Sequence, residues 1–231
     1  MMRLKLKHSG GAMLLVVAAT STVANIPTAA AQDVTIAERM LFLDKHFSVT
    51  GKQRLTYLFH QETSDVAAFN DTATVEVHEL GPDGTASVTT KFLSGDHALP
   101  IPPLERATGN PIILGFLESD IAKMKHLTGG SVNYFRKRIR MALAAADVRI
   151  RKTNVQYNGN TFPAQEITIV PYSGESQKTR LARYTDKAYV FITSTEIPGA
   201  VYCIYTKMSE APGQTVDSGI TIAGGDPKQC N

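Results

Sequence analysis

Signatures of known catalysis are missing from this chain. It has no HExxH run, no GxSxG elbow and no glycine loop ending in Gly-Lys-Ser/Thr. The sequence grounds for a zinc protease, an α/β-hydrolase or a phosphate-loop NTPase are therefore absent. Cysteine is scarce: Cys203 and Cys230 are the only two. No linker, internal repeat or low-complexity block divides the chain. Charge of one sign is also lacking once the N-terminus is set aside. The whole chain has 24 Lys and Arg against 21 Asp and Glu. Arg3, Lys5 and Lys7 supply the difference, and residues 32–231 balance at 21 of each sign. A near-neutral protein is not a general polyanion binder, so no nucleic-acid partner is expected.

The N-terminus reads as an export signal. Arg3, Lys5 and Lys7 form a basic region, Ala12–Ala19 an apolar one, and Ala29-Ala30-Ala31 a small-residue cleavage pattern before Gln32-Asp33. The apolar run is too short to span a bilayer, and the residue after the cleavage point is Gln32, not a cysteine that would carry a lipid anchor. The expected organisation is a signal peptide over 1–31, removed on export, and one domain over 32–231 in the periplasm. In that oxidising compartment Cys203 and Cys230 are expected to pair, the alternative being two free thiols. Such a bridge contributes about 3 kcal/mol in the chain-entropy model.

Hydrophobic periodicity gives the elements. Val34–Phe47 reads as a helix with Ile36, Met40, Leu43 and Phe47 on one face. Arg54–Glu62 alternates, with Leu55, Tyr57 and Phe59 inward. Thr72–Leu80 alternates with Ala73, Val75 and Val77 inward, and Gly81-Pro82-Asp83-Gly84 turns into Thr85–Leu93. Gly95–Gly109, with Pro100, Pro102 and Pro103, is a loop or at best an edge strand.

The stretch Asn110–Asp147 predicts a helical hairpin. Asn110 can cap the first helix, and Pro111 suits its first turn. Ile113, Phe116, Leu117, Ile121, Met124 and Leu127 make its apolar face, and Gly129-Gly130 ends it. Ser131 or Asn133 caps the second helix. Val148–Tyr157 and Phe162–Val170 then form a hairpin about the type I′ signal Asn158-Gly159. Ser173–Arg180 is a polar loop. Tyr184 and Tyr189–Thr195 continue the sheet. Ile197-Pro198-Gly199 turns into Ala200–Met208, the last long strand, and the Gly- and Pro-rich remainder lies over the surface. The fold class is α+β: a curved antiparallel sheet, an open barrel, wrapped around or covered by the hairpin.

The export signal ending Ala29-Ala30-Ala31, the helix Ile36–Phe47 entering strand Arg54–Glu62, and the helices set between strand groups resemble the lipoprotein-carrier (LolA/LolB-like) group of bacterial envelope proteins. The resemblance is one of architecture. It implies an unclosed barrel holding acyl chains between sheet and helices, and assigns no binding residue.

Candidate site residues come from the hairpin. Phe116, Leu117, Ile121, Met124 and Leu127 suit either core packing or the lining of a cavity against the inward strand residues, with Met124 adaptable to a variable chain. Arg136, Arg138 and Arg140 suit either a solvated face paired with Glu118 and Asp120, or a site for an anionic headgroup or a membrane surface. His60 and His78 lie on outward faces near Glu62 and Glu76; strand pairing could bring His60 near Glu76. Ser94, Asp96 and His97 share one loop without the context of a triad. No cofactor and no metal site is expected. The expected function is non-catalytic binding or carriage of a hydrophobic small molecule or lipid. The alternative is a structural or assembly factor acting through an envelope protein partner, and a hydrolase stands third.

Overall fold

Strict alternation builds the first half of the sheet. In the computed structural model, which describes residues 33–48, 51–63, 66–174, 181–210 and 213–230, strands β1 (Gln53–Thr63), β2 (Val66–Leu80) and β3 (Ala86–Phe92) form a meander. Leu55, Tyr57 and Phe59, then Ala73, Val75 and Val77, then Ala86 and Val88 are buried on one face. Leu58, on the other face of β1, is exposed. The expected signal over 1–31 lies outside the described residues. The loop after β3 contains the short edge strand β4 (Leu104–Ala107), placed after Pro102 and Pro103 as proline chemistry requires.

The second half contains β5 (Arg149–Tyr157), β6 (Asn160–Ile169), β7 (Ala188–Thr193), β8 (Val201–Glu210) and β9 (Gly213–Ile222). All nine strands join one antiparallel, unclosed sheet in the order β4-β3-β2-β1-β9-β8-β7-β6-β5. The sheet is curved and carries the helices, so the fold is the α+β open barrel. Asn158 and Gly159 both have positive φ (48° and 79°), the type I′ turn expected between β5 and β6.

Three helices accompany the sheet: α1 (Ile36–Glu38), α2 (Ile112–Thr128) and α3 (Val132–Leu143). Gly129, at φ 71°, closes α2, and the Ser131 hydroxyl accepts the Tyr134 N–H at the start of α3. Asn110 Oδ1 accepts the Ile112 N–H at 3.1 Å. Its amide also donates to the Tyr57 hydroxyl and the Gly199 carbonyl, both at 2.8 Å. The capping residue thus ties α2 to β1 as well. Gly115 lets α2 approach β3, because a Cβ there would strike the Phe92 ring.

Three expectations are corrected. The helix expected over 34–47 is α1 followed by a π-helical turn, Arg39–Leu43, with Asp44 N–H bonded to the Arg39 carbonyl. Ala37 and Leu41, four residues apart, are buried with Phe47, while Ile36 and Leu43 are exposed. The Gly- and Pro-rich tail is not a surface tail. It supplies β9, paired to β1 and β8, with Ile220, Thr221 and Ile222 buried. A Cβ at Gly219 would meet the His60 imidazole. Tyr184 lies in a 3₁₀ turn, Ala182–Tyr184, rather than in the sheet.

Candidate ligand groove and the buried charge network behind it

The hairpin presents two different faces. On α2, Leu114, Leu117, Glu118 and Ile121 follow the i, i+3, i+4, i+7 rule and share one side. On α3, Arg136, Ile139, Arg140 and Leu143 do the same. Together with Val34, Glu38, Phe42 and Leu43 from the N-terminal segment, they line a groove of about 410 Å³. Its floor is Leu117, Ile121, Ile139 and Leu143, all buried, and it opens to solvent at Val34, Leu43 and Leu114, which are 57%, 55% and 53% exposed. The volume lies within the range of small-molecule sites, about 300–1,000 Å³.

The groove brings together four of the eight candidate site residues: Leu117, Ile121, Arg136 and Arg140. Phe116 and Met124 point the other way, into the core against the sheet. The Phe116 ring lies 6.4 Å from that of Phe59, and Met124 is fully buried. Leu127 is half-buried against the same core. The three arginines diverge. Arg136 grips Glu118 with two parallel bonds of 2.7 and 2.6 Å. Arg138 turns away and donates to the carbonyls of Pro171 and Ser173 at 2.9 and 3.2 Å. Arg140 forms no ion pair among the described residues and is exposed at the groove wall. The rim therefore carries Glu38, Glu118, Arg136 and Arg140, two charges of each sign.

Behind the groove, the opposite face of α2 meets a buried charge network that no sequence pattern announces. Asp120 and Lys123 face Lys187, just before β7, and Asp217 on β9. Lys187 is fully buried and donates to Asp120 Oδ1 at 2.8 Å and Asp217 Oδ2 at 2.7 Å, with Met124 Sδ at 3.8 Å. Three ammonium protons thus meet three acceptors. Lys123 reaches Asp217 Oδ2 at 2.6 Å, Asp120 Oδ1 at 3.2 Å and Ser218 Oγ at 3.2 Å. The Tyr189 hydroxyl donates to Asp120 Oδ2 at 2.5 Å. Its single proton is spent there, so Tyr172, 2.9 Å away, is the donor to Tyr189. Thr206 completes Asp217 at 3.1 Å.

Burial works to raise the pKa of both carboxyls, but Lys187 and Lys123 outweigh it and hold them below the usual carboxylate range. Burial works to lower the Lys187 pKa, and Asp120 and Asp217 push it upward instead. Two cations and two anions leave the cluster neutral. None of its four charged residues lines the groove, and its ion pairs join α2 to Lys187 beside β7 and to Asp217 on β9. The pairing of Asp120 with the hairpin arginines is corrected: its partners are Lys187 and Lys123.

The remaining polar candidates disperse. Glu76 pairs with Arg54 at 2.7 Å, and His60 lies opposite Asn70 rather than beside Glu76. The Ser94 hydroxyl turns to Asp71 at 3.0 Å, while the His97 ring stacks on Phe69. Cys203 and Cys230 are bonded. That bond pins the C-terminal 3₁₀ turn Pro227–Cys230, from which Gln229 Oε1 accepts the Gln156 N–H of β5 at 2.7 Å.

The fold and groove define an α+β protein with an open antiparallel sheet and a half-open apolar slot on its helical hairpin. No family model matches the chain, and no curated protein matches it. Among solved structures it is similar to the Mycobacterium tuberculosis lipoprotein LppX, at 10% identity and a TM-score of 0.31, over 77% of this chain and 88% of that one.

Proposed function

We propose that residues 32–231 form an exported, non-catalytic periplasmic protein that binds the apolar chain of a small amphiphile or lipid in the groove between α1, α2 and α3. The observation that carries this is the slot of about 410 Å³, apolar in its floor yet open at Val34, Leu43 and Leu114. Exposed apolar side chains around a built concavity are the ordinary mark of a binding site. Export is supported by the basic, apolar and Ala29-Ala30-Ala31 pattern at the N-terminus. The buried disulfide suits an oxidising compartment.

The charged rim shapes the ligand. Arg136 is already paired with Glu118, and Arg140 is the cation left for an anionic end. Each buried methylene contributes about 0.8 kcal/mol, so affinity rises with chain length until the slot is full. Displacement of a fluorescent fatty acid by saturated acids of increasing length tests this. A flat length dependence overturns the reading. Mass spectrometry of organic extracts from natively purified protein then identifies the ligand. A clean extract with a co-purifying envelope protein would favour an assembly factor instead.

A further inference from the structure

The N-terminal wall of the groove hangs from one histidine. His46 is 3% exposed and follows the π-helical turn Arg39–Leu43. Its Nδ1 lies 2.9 Å from the Asn110 backbone N–H, and its Nε2 lies 2.8 Å from the Met40 carbonyl. A backbone N–H can only donate, so Nδ1 is the acceptor. The ring proton is therefore on Nε2, where it donates to Met40. Both nitrogens are committed in the neutral tautomer. The same segment is docked by the His46 N–H on the Thr108 carbonyl at 3.0 Å and the Thr108 hydroxyl on the Phe42 carbonyl at 3.3 Å.

A second proton has one place to go, Nδ1, where it would face the Asn110 N–H. The ring would become a buried cation, and the Asn110 donor would lose its acceptor. Asp44, on the histidine's own segment, is the acid whose charge acts on the ring. Across from it are Thr108 and Asn110, and Tyr57 of β1 lies behind them, bonded to the Asn110 amide. Tyr57 is a buried phenol whose ionisation burial pushes upward, so none of the three supplies a negative charge. Phe42 and Leu43, which line the groove, belong to the turn that His46 fastens.

We propose that His46 is a proton-operated clip on the groove wall: protonation at Nδ1 frees Arg39–Leu43 from residues 108–110, opens the slot and releases its ligand in mildly acidic surroundings. Release rests on the binding role proposed for the groove; the clip itself does not. Burial lowers the His46 pKa, partly offset by the Met40 carbonyl and Asp44, so the neutral, fastened state holds at neutral pH.

Hydrogen exchange of the purified protein at about pH 7.5 and about pH 5, corrected for intrinsic rates, reads the clip directly. Protection of residues 36–47 is expected to fall about tenfold for each pH unit across the titration, while Val201–Glu210 stays protected. Binding of the uncharged dye N-phenyl-1-naphthylamine is expected to weaken in parallel, and His46→Gln is expected to make both readouts independent of pH. Unchanged protection of residues 36–47 in the wild-type protein overturns the clip, whether or not the variant folds. Loosening of that segment with undiminished dye binding overturns release. Loosening without dye binding at either pH overturns the binding role and leaves the clip standing.

Discussion

Lys187 Nζ sits 2.8 Å from Asp120 Oδ1, and neither side chain is reached by solvent. Breaking such a pair leaves an uncompensated buried charge. Lys187→Met, close to isosteric, is expected to destabilise the protein by about 3–5 kcal/mol in urea denaturation. Lys187→Met combined with Asp217→Asn removes one charge of each sign. It should cost clearly less than the sum of the two single variants. Additive costs would show that the four groups do not act as a unit.

Stability should fall with acid in two separate windows. The first belongs to His46 and His60. Burial lowers both folded pKa values, so their contribution is full above the ordinary histidine value of about 6.5 and is lost as the pH falls below it. The second belongs to Asp120 and Asp217, whose folded pKa values are depressed. Their contribution is full above the unfolded carboxylate value of about 3.9 and is lost as the pH falls through the depressed values. Urea midpoints measured from neutral to strongly acidic pH should show both losses. His46→Gln should shrink the first and leave the second.

The disulfide closes a span of 27 residues. Its removal by Cys203→Ala with Cys230→Ala should cost about 3–4 kcal/mol. The loss should also be local. The Gln156 amide of β5, capped by Gln229, should lose exchange protection before β7 does. Loss spread evenly over the sheet would contradict that link.

Gly219 faces the His60 imidazole across the β1–β9 pair. Gly219→Ala should destabilise by about 1–3 kcal/mol through overpacking. Adding His60→Ala to that variant should restore part of the loss. No recovery would place the strain elsewhere.

Much of the fold is legible in the sequence because burial is written as period. Leu55, Tyr57 and Phe59 alternate as a half-buried strand must, and Phe135, Ile139 and Leu143 recur as a helix stripe must. Two elements break that code. In the N-terminal segment the apolar residues fall on two faces, and the buried one is Ala37 and Leu41 rather than Ile36, Met40 and Leu43. Strand β9 begins Gly-Gln-Thr-Val-Asp-Ser-Gly, which alone reads as a loop, and its buried isoleucines, Ile220 and Ile222, come only at its end. The site is half legible. Leu117 and Ile121 are found by their spacing, but the groove they line is on the opposite side of α2 from the sheet, where Phe116 and Met124 already fill the space. The charge network is only partly local: Asp120 and Lys123 are an i,i+3 pair on α2, but Lys187 and Asp217 join them only through tertiary structure. His46 is hidden likewise, since its two partners lie on different segments.

The pairing of β1 with β9 joins the first strand of the sheet to the last. A chain leaving a ribosome or a translocation channel from its N-terminus can build the β1–β4 meander early. It cannot cover the open edge of β1 until residues 213–222 emerge. Until then that edge offers unpaired N–H and C=O groups to any passing strand. Such distant closure makes folding slow, since the loop entropy is lost before the contact forms. Cys203 likewise waits for Cys230, 27 residues further on. Maturation of the sheet therefore waits for residues 213–222, and chains ending before residue 213 should be recognised by their aggregation.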